Sequence, residues 1–237
     1  MTTNVFDRGA RMAATDSRWS LSLGHAVLYI DDTSFEKIAH DGKLVFIFAG
    51  NSARIRDWKA WIANPQSTVS VRPPVDDIAI CIIELASATV VFEHDQHIMV
   101  DDGRFAGTGA WPAYTCWNVN RDALKAVESA KLADRFSGGN VKFFNLSTGE
   151  KNLNEPDDFD SIKNELLTRG MVMYFQNPAH VPVKEAAAND KVVDVALDQI
   201  AKGQQSLTAP CPAAANQWTE DEKSRLDSVL ERYYPKG

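Results

Sequence analysis

Apolar and polar positions alternate in short runs over the first half of the chain and fall at helical spacing over much of the second. Asn4-Val5-Phe6 and Ala10 to Ala14 flank the turn Asp7-Arg8-Gly9, which predicts a β-hairpin from the very start of the protein to Arg18. Trp19 to Gly24 and the apolar run Ala26 to Ile30 continue the strand pattern until Asp31-Asp32, and a short strand is expected over Phe35 to Ile38. Lys43 to Gly50 is apolar on both faces, the mark of a central strand covered on each side. Its sheet is therefore expected to be one layer of a sandwich.

Asn51-Ser52 then caps a helix with Ile55, Trp58 and Ile62 on one face, closed at Asn64-Pro65, and Gln66 to Asp77 reads as loop. Ile78 to Leu85 and Ala88 to Phe92 read as strands, rich in Ile and Val, with a turn at Glu93 to Gln96, although Ala86-Ser87 between them is a poor turn and leaves a buried helix open for the first run. The chain then returns through Ile98 to Val100 and Asp102-Gly103 to a short strand over Arg104 to Gly109, and Trp111 to Trp117 and Arg121 to Asp134 read as helices. Asn140 to Leu146 and Met171 to Phe175 read as strands around a helix over Phe159 to Arg169. From Asn177 the character changes: one helix over Lys184 to Lys202, a Pro and Ala linker over Leu207 to Asn216, and a last helix. That helix opens on the capping box Thr219-x-x-Glu222 and carries the stripe Leu226, Val229, Leu230, Tyr233.

Composition narrows the function classes. With 237 residues, 44% hydrophobic and 24% charged, the chain can bury a full core, and a net charge of −7 argues against nucleic acid or an anionic membrane as partner. No stretch nears the ~20 apolar residues of a membrane span, and no signal-peptide pattern opens the chain, so a cytoplasmic protein is expected. Cys81, Cys116 and Cys211 are odd in number and widely spaced, so reduced thiols are expected. His94 and His97 flank a turn without a carboxylate at ligand spacing, and no metal is expected there.

The candidate chemistry lies at the N-terminus. If Met1 is removed, Thr2 carries a hydroxyl nucleophile and its own base, an α-amine whose reference pKa is roughly 7.7 to 8.0. Further on, in order, stand Asp16-Ser17-Arg18, Phe35-Glu36-Lys37-Ile38, Ala49-Gly50-Asn51-Ser52-Ala53, Gly107-Thr108-Gly109 and Asp134-x-x-Ser137-Gly138-Gly139. Read singly these are an ion pair, a strand lysine, a helix-entry glycine and two loops. Their order and spacing over roughly residues 2 to 150 resemble the N-terminal nucleophile hydrolases, within them the proteasome β subunits, HslV and the minor bacterial proteasome homologues.

The resemblance implies an α+β fold, a four-layer αββα sandwich, with residues 1–176 as the core and 177–237 as a helical C-terminal extension. It implies Thr2 as nucleophile, Lys37 paired with Asp16 to lower the hydroxyl's effective pKa, and the Gly50 amide as oxyanion donor. Asp134 and Ser137, with Thr108 where the family usually has Ser, would hold the terminal amine. Phe48 would floor a shallow substrate pocket beside Ser52 that favours small residues before the cleaved bond. No cofactor is implied. The implied partners are unfolded polypeptide substrates and identical subunits in two stacked rings of six or seven, with an ATPase unfoldase left unidentified. The stretch between Gly50 and Ile78 is short for the family's helix pair, which points to a truncated helix. Two alternatives stay open: an inactive ring that retains Met1, and a small-molecule amidase on the same fold.

Overall fold

The computed structural model describes residues 2–64, 71–94, 96–177, 179–211 and 217–235. Met1, Pro65 to Ser70, Asp95, Pro178, Pro212 to Asn216, Lys236 and Gly237 lie outside the described residues, and with them the helix-closing proline and parts of the expected loop, turn and linker.

Two antiparallel sheets lie face to face between layers of helices, the four-layer αββα arrangement that the sequence leads one to expect. The first sheet holds β1 (Asn4–Asp7), β2 (Met12–Asp16), β9 (Ile98–Val100), β10 (Gly103–Ala106) and β11 (Val141–Asn145) in the order β11-β2-β1-β10-β9. The second holds β3 (Trp19–Ser22), β4 (Ala26–Ile30), β6 (Leu44–Asn51), β7 (Ile78–Glu84), β8 (Thr89–His94), β12 (Met171–Tyr174), β13 (His180–Pro182) and β14 (Thr208–Ala209). Its order is β13-β12-β4-β3-β14-β6-β7-β8, with β5 (Ile38–His40) also paired to β6.

β6 explains the doubly apolar run. Val45 and Ile47 point between the sheets, where they join Phe6, Ala13, Ile38, Ile83 and Phe144. Leu44, Phe46 and Phe48 point the other way, toward Trp58 and the helices. A strand with an apolar neighbour on each face has no position to spare for alternation.

α2 (Ala110–Asn120) and α3 (Ala123–Ala133) cover the outer face of the first sheet through Ala113, Trp117, Ala126, Val127 and Ala130. The outer face of the second sheet is covered by α1 (Ser52–Ile62), α4 (Asp160–Arg169), α5 (Val183–Asn189), α6 (Lys191–Ala201) and α7 (Glu220–Tyr233). Asn51 caps α1 by accepting from the Ala53 and Arg54 amides, and Ile55, Trp58 and Ile62 are buried as the spacing requires. α1 is the only α-helix among the described residues between Gly50 and Ile78.

Three local expectations are corrected. Phe35 to Lys37 is irregular, and the strand starts only at Ile38, because the buried polar side chains of Glu36 and Lys37 are held by side-chain bonds, and only the Lys37 carbonyl bonds to β6, at the Phe48 amide. The single helix over Lys184 to Lys202 is two: Asp190 ends α5 with φ −133° and caps α6 through the Val192 and Val193 amides. The start of the expected linker is a strand, since Thr208 and Ala209 form β14 inside the second sheet and Leu207, Ala209 and Cys211 are buried. Residues past 177 thus supply β13, β14 and three helices that pack on this sheet, and α7 docks with Leu226 and Leu230 while Trp218 donates to the Ile78 carbonyl.

Candidate active site

Thr2 and Thr3 run into β1, and the chain there is gripped from β10. A Cβ on Gly107 would lie 1.8 Å from the Thr2 carbonyl oxygen, at a φ of +87° that side chains rarely adopt. The glycine lets the backbone at Gly107 pass directly against Thr2. On the other side β1 pairs with β2, which carries Asp16 at its end, and the Asp16 amide donates to the Thr3 carbonyl over 3.2 Å.

Lys37 reaches this point from the irregular segment before β5. Its Nζ donates to Thr2 Oγ1 at 2.8 Å, to the Asp16 carbonyl at 2.8 Å and to Asp16 Oδ1 at 2.9 Å. Thr2 Oγ1 in turn donates to Asp16 Oδ1 at 2.5 Å. The Asp16 carboxylate is saturated: Oδ1 also accepts the Thr3 amide, and Oδ2 accepts the Arg18 and Gly138 amides at 3.2 and 3.1 Å. All three side chains are buried, with Thr2 and Asp16 at 0% exposure and Lys37 at 1%.

Burial raises the Asp16 carboxyl, but the Lys37 charge and the bonds from Thr2 and Thr3 outweigh it and hold the group below its ordinary range. A simple ion pair would raise its cation in return. Lys37 falls instead, because loss of water costs the ammonium more than Asp16 gives back. An amine so placed against a hydroxyl is suited to exchanging a proton with it.

Thr108, Asp134 and Ser137 also come together. Thr108 Oγ1 and Ser137 Oγ both donate to Asp134 Oδ2, at 2.7 and 2.8 Å, and Ser137 Oγ lies 2.7 Å from Thr3 Oγ1. The cluster therefore abuts the threonine that follows Thr2. Gly50 is the last residue but one of β6, with φ +111°, and a Cβ on it would stand 2.1 Å from the Asp77 carbonyl oxygen. Phe48 is fully buried, its ring against Phe46 and Trp58, while its amide donates to the Lys37 carbonyl and its own carbonyl accepts from Asn4, each at 2.9 Å. Ser52 opens α1, is 1% exposed and lies on a cavity of about 260 Å³ shared with Arg56, Phe159, Lys163 and Leu207.

Other residues complete the site through partners that the sequence does not indicate. Arg18 gives Asp16 its backbone amide but not its side chain. Its guanidinium forks onto both oxygens of Asp31 at 2.8 Å and donates to the Arg135 carbonyl, which fixes the loop bearing Asp134 and Ser137. Beside Lys37, Glu36 accepts from Lys142 at 3.0 Å, and the Glu36 carbonyl accepts from Lys59, itself paired with Asp157. Partners 23 to 121 residues away thus anchor the segment that aims Lys37. Only the adjacency of Glu36 and Lys37 was visible beforehand.

His94 is buried, stacked on Trp218 at 3.8 Å and paired with Glu222, whereas His97 is exposed, so the two do not form one site.

Fold and site together define an αββα sandwich that buries one threonine hydroxyl against a lysine and an aspartate. Among solved structures, the chain is similar to eukaryotic HslV from Trypanosoma brucei, at 17% identity and a TM-score of 0.38, over 60% of this chain and 97% of that one. No family model and no curated protein sequence matches it. Among the described residues, no helix is long and apolar enough to cross a membrane.

Proposed function

We propose that the chain is a threonine peptidase of the N-terminal nucleophile type. The observation that carries this reading is the bond from Lys37 Nζ to Thr2 Oγ1 at 2.8 Å, with Asp16 shared between them. After Met1 is removed, Thr2 Oγ1 attacks the scissile carbonyl carbon and its proton passes to the terminal amine, assisted by Lys37. The oxyanion forms toward the Gly50 amide. Collapse expels the amine of the leaving peptide with that proton and leaves an ester on Thr2, which water then hydrolyses. Loss of one oxyanion donor typically costs ~10² to 10³ in rate.

The substrates we propose are extended, unfolded polypeptides, and the assembly two stacked rings of identical subunits, six or seven in each, fed by an ATPase. Supporting the assembly, Trp111, Val119 and Leu132 on the outer helices α2 and α3 are 59%, 79% and 92% exposed. Such apolar side chains on one layer suit subunit contacts. A small-molecule amidase would need no ring, so native mass separates the two.

The deciding experiment is intact mass before and after a threonine-directed peptide epoxyketone. Loss of Met1 and one stoichiometric adduct on Thr2 is the expected result. Retained Met1, or a free Thr2 that never reacts even after prolonged incubation, would move the assignment to a non-catalytic ring, a reading that the complete burial of Thr2 favours.

A further inference from the structure

β14 sits where an extended ligand would be expected. It lies between β3 and β6 and is antiparallel to both, with Thr208 opposite Ser20 and Asn51, and Ala209 opposite Gly50. The Leu207 carbonyl accepts the Ser52 amide at 3.1 Å, and Thr208 Oγ1 donates to the Ser20 carbonyl at 3.1 Å. β5 pairs with β6 over Val45 to Ile47 on this same edge, so without residues 207–211 the end of β6 at Gly50 and Asn51 would face β3 unpaired, a short slot that recognises an added strand through main-chain bonds.

Both edges run out of the candidate active site. β3 begins three residues after Asp16, and its Trp19 ring lies 5.5 Å below Lys37 Nζ. β6 passes the site at Phe48, bonded to the Lys37 carbonyl, and ends at Gly50 and Asn51. The residue opposite Gly50 is a small one, Ala209, and Cys211 beyond it packs on Ala49, Ala79 and Ala106. Thr2, Asp16 and Lys37 have essentially no exposure with the strand in place.

We propose that residues 207–211 are an internal stand-in for a substrate peptide: they fill the slot between β3 and β6, and an incoming extended peptide with a small residue opposite Gly50 must displace them. The two-residue ladder of β14 contrasts with the seven-residue pairing of β6 with β7, so few main-chain bonds oppose release of the strap, and its hold rests on the buried side chains of Leu207, Ala209 and Cys211. Its site is proposed to take extended polypeptide, and its chemistry rests on the nucleophile reading only where covalent reaction is concerned.

The test is a reversible lock. Ser20→Cys with Thr208→Cys places two cysteines opposite each other on paired strands, where Cβ separations of ~4.5 to 5.5 Å approach what a disulfide spans. The full chain is compared oxidised and reduced, with the linkage confirmed by peptide mapping, using fluorescein-labelled Leu-Thr-Ala epoxyketone. Binding is read by anisotropy and adduct by intact mass. Reduced protein is expected to bind and to react, and oxidised protein to do each at least about tenfold more weakly, recovering on reduction. Thr208→Pro, which removes a ladder donor from the strap, is expected to react faster than the parent chain. Equal binding in both redox states, or none in either, overturns the strap. Binding that the lock abolishes, with no adduct in either state, upholds the strap and refutes the peptidase reading instead.

Discussion

Replacing Asp16 by Asn tests whether the buried pair is what the site is built on. The change keeps the shape and removes the charge. Five donors converge on Asp16: Thr2 Oγ1, Lys37 Nζ and the amides of Thr3, Arg18 and Gly138. An amide side chain must turn its NH₂ toward one set of those donors, whichever way it is flipped. It also leaves Lys37, 1% exposed, without its counter-charge. Breaking a buried pair by removing one partner costs about 3 to 5 kcal/mol, a large share of the ~5 to 15 kcal/mol that holds a domain folded.

The pH dependence is the sharper readout. Lys37 already lies below its ordinary range in the parent, and loss of Asp16 lowers it further. Between its folded and unfolded pKa the unfolded chain binds one more proton, so stability rises with pH by about 1.4 kcal/mol per unit. In Asp16→Asn that rise should extend to lower pH than in the parent. On the acid side the sign is that of a depressed carboxylate. Asp16 stabilises the parent above the ordinary Asp range, and this is lost as pH falls through its lowered folded value, a loss the variant should not show. Denaturant melts from pH 3 to 9 at one fixed protein concentration, read by tryptophan fluorescence, measure both limbs. A cost below about 1 kcal/mol with parallel pH profiles would refute the reasoning.

Other outcomes follow from the same geometry. Thr2→Ala should abolish peptide hydrolysis and leave assembly by native mass unchanged, because the Lys37–Asp16 bond at 2.9 Å does not need the hydroxyl; unchanged turnover would end the nucleophile mechanism. Gly107→Ala should lower stability by about 2 to 3 kcal/mol and slow the adduct at Thr2, since the added methyl overlaps the Thr2 carbonyl at a positive φ. A thermal melt within a degree of the parent would mean that the chain can yield there.

What could be read in the chain alone was whatever is written in neighbouring residues. The doubly apolar run from Lys43 to Gly50 identified a covered strand, and Asn51 and the Thr219 capping box marked two helix starts, although the strand runs past Gly50 to Asn51. These follow from local sterics and side-chain period, which act over a few residues. The resemblance carried Thr2, Asp16, Lys37, Thr108, Asp134 and Ser137 as one set, and the fold brings them into two bonded clusters around Thr2 and Thr3.

The rest is set by contacts between residues far apart in sequence. Phe35 to Lys37 looks like strand from its residue types, yet it stays irregular because the buried side chains of Glu36 and Lys37 bond to Lys142, Asp16 and Thr2, and the Lys37 carbonyl alone bonds to β6. Arg18 turns from its neighbour Asp16 to Asp31, whose carboxylate is placed to receive the whole fork of its guanidinium. Leu207 to Cys211 has the composition of a linker, and it becomes a sheet strand because β3 and β6 stand apart by the width of one strand and their unpaired backbone groups need partners. A hydrogen bond that closes across 188 residues has no trace in local composition. Only the packed chain decides it.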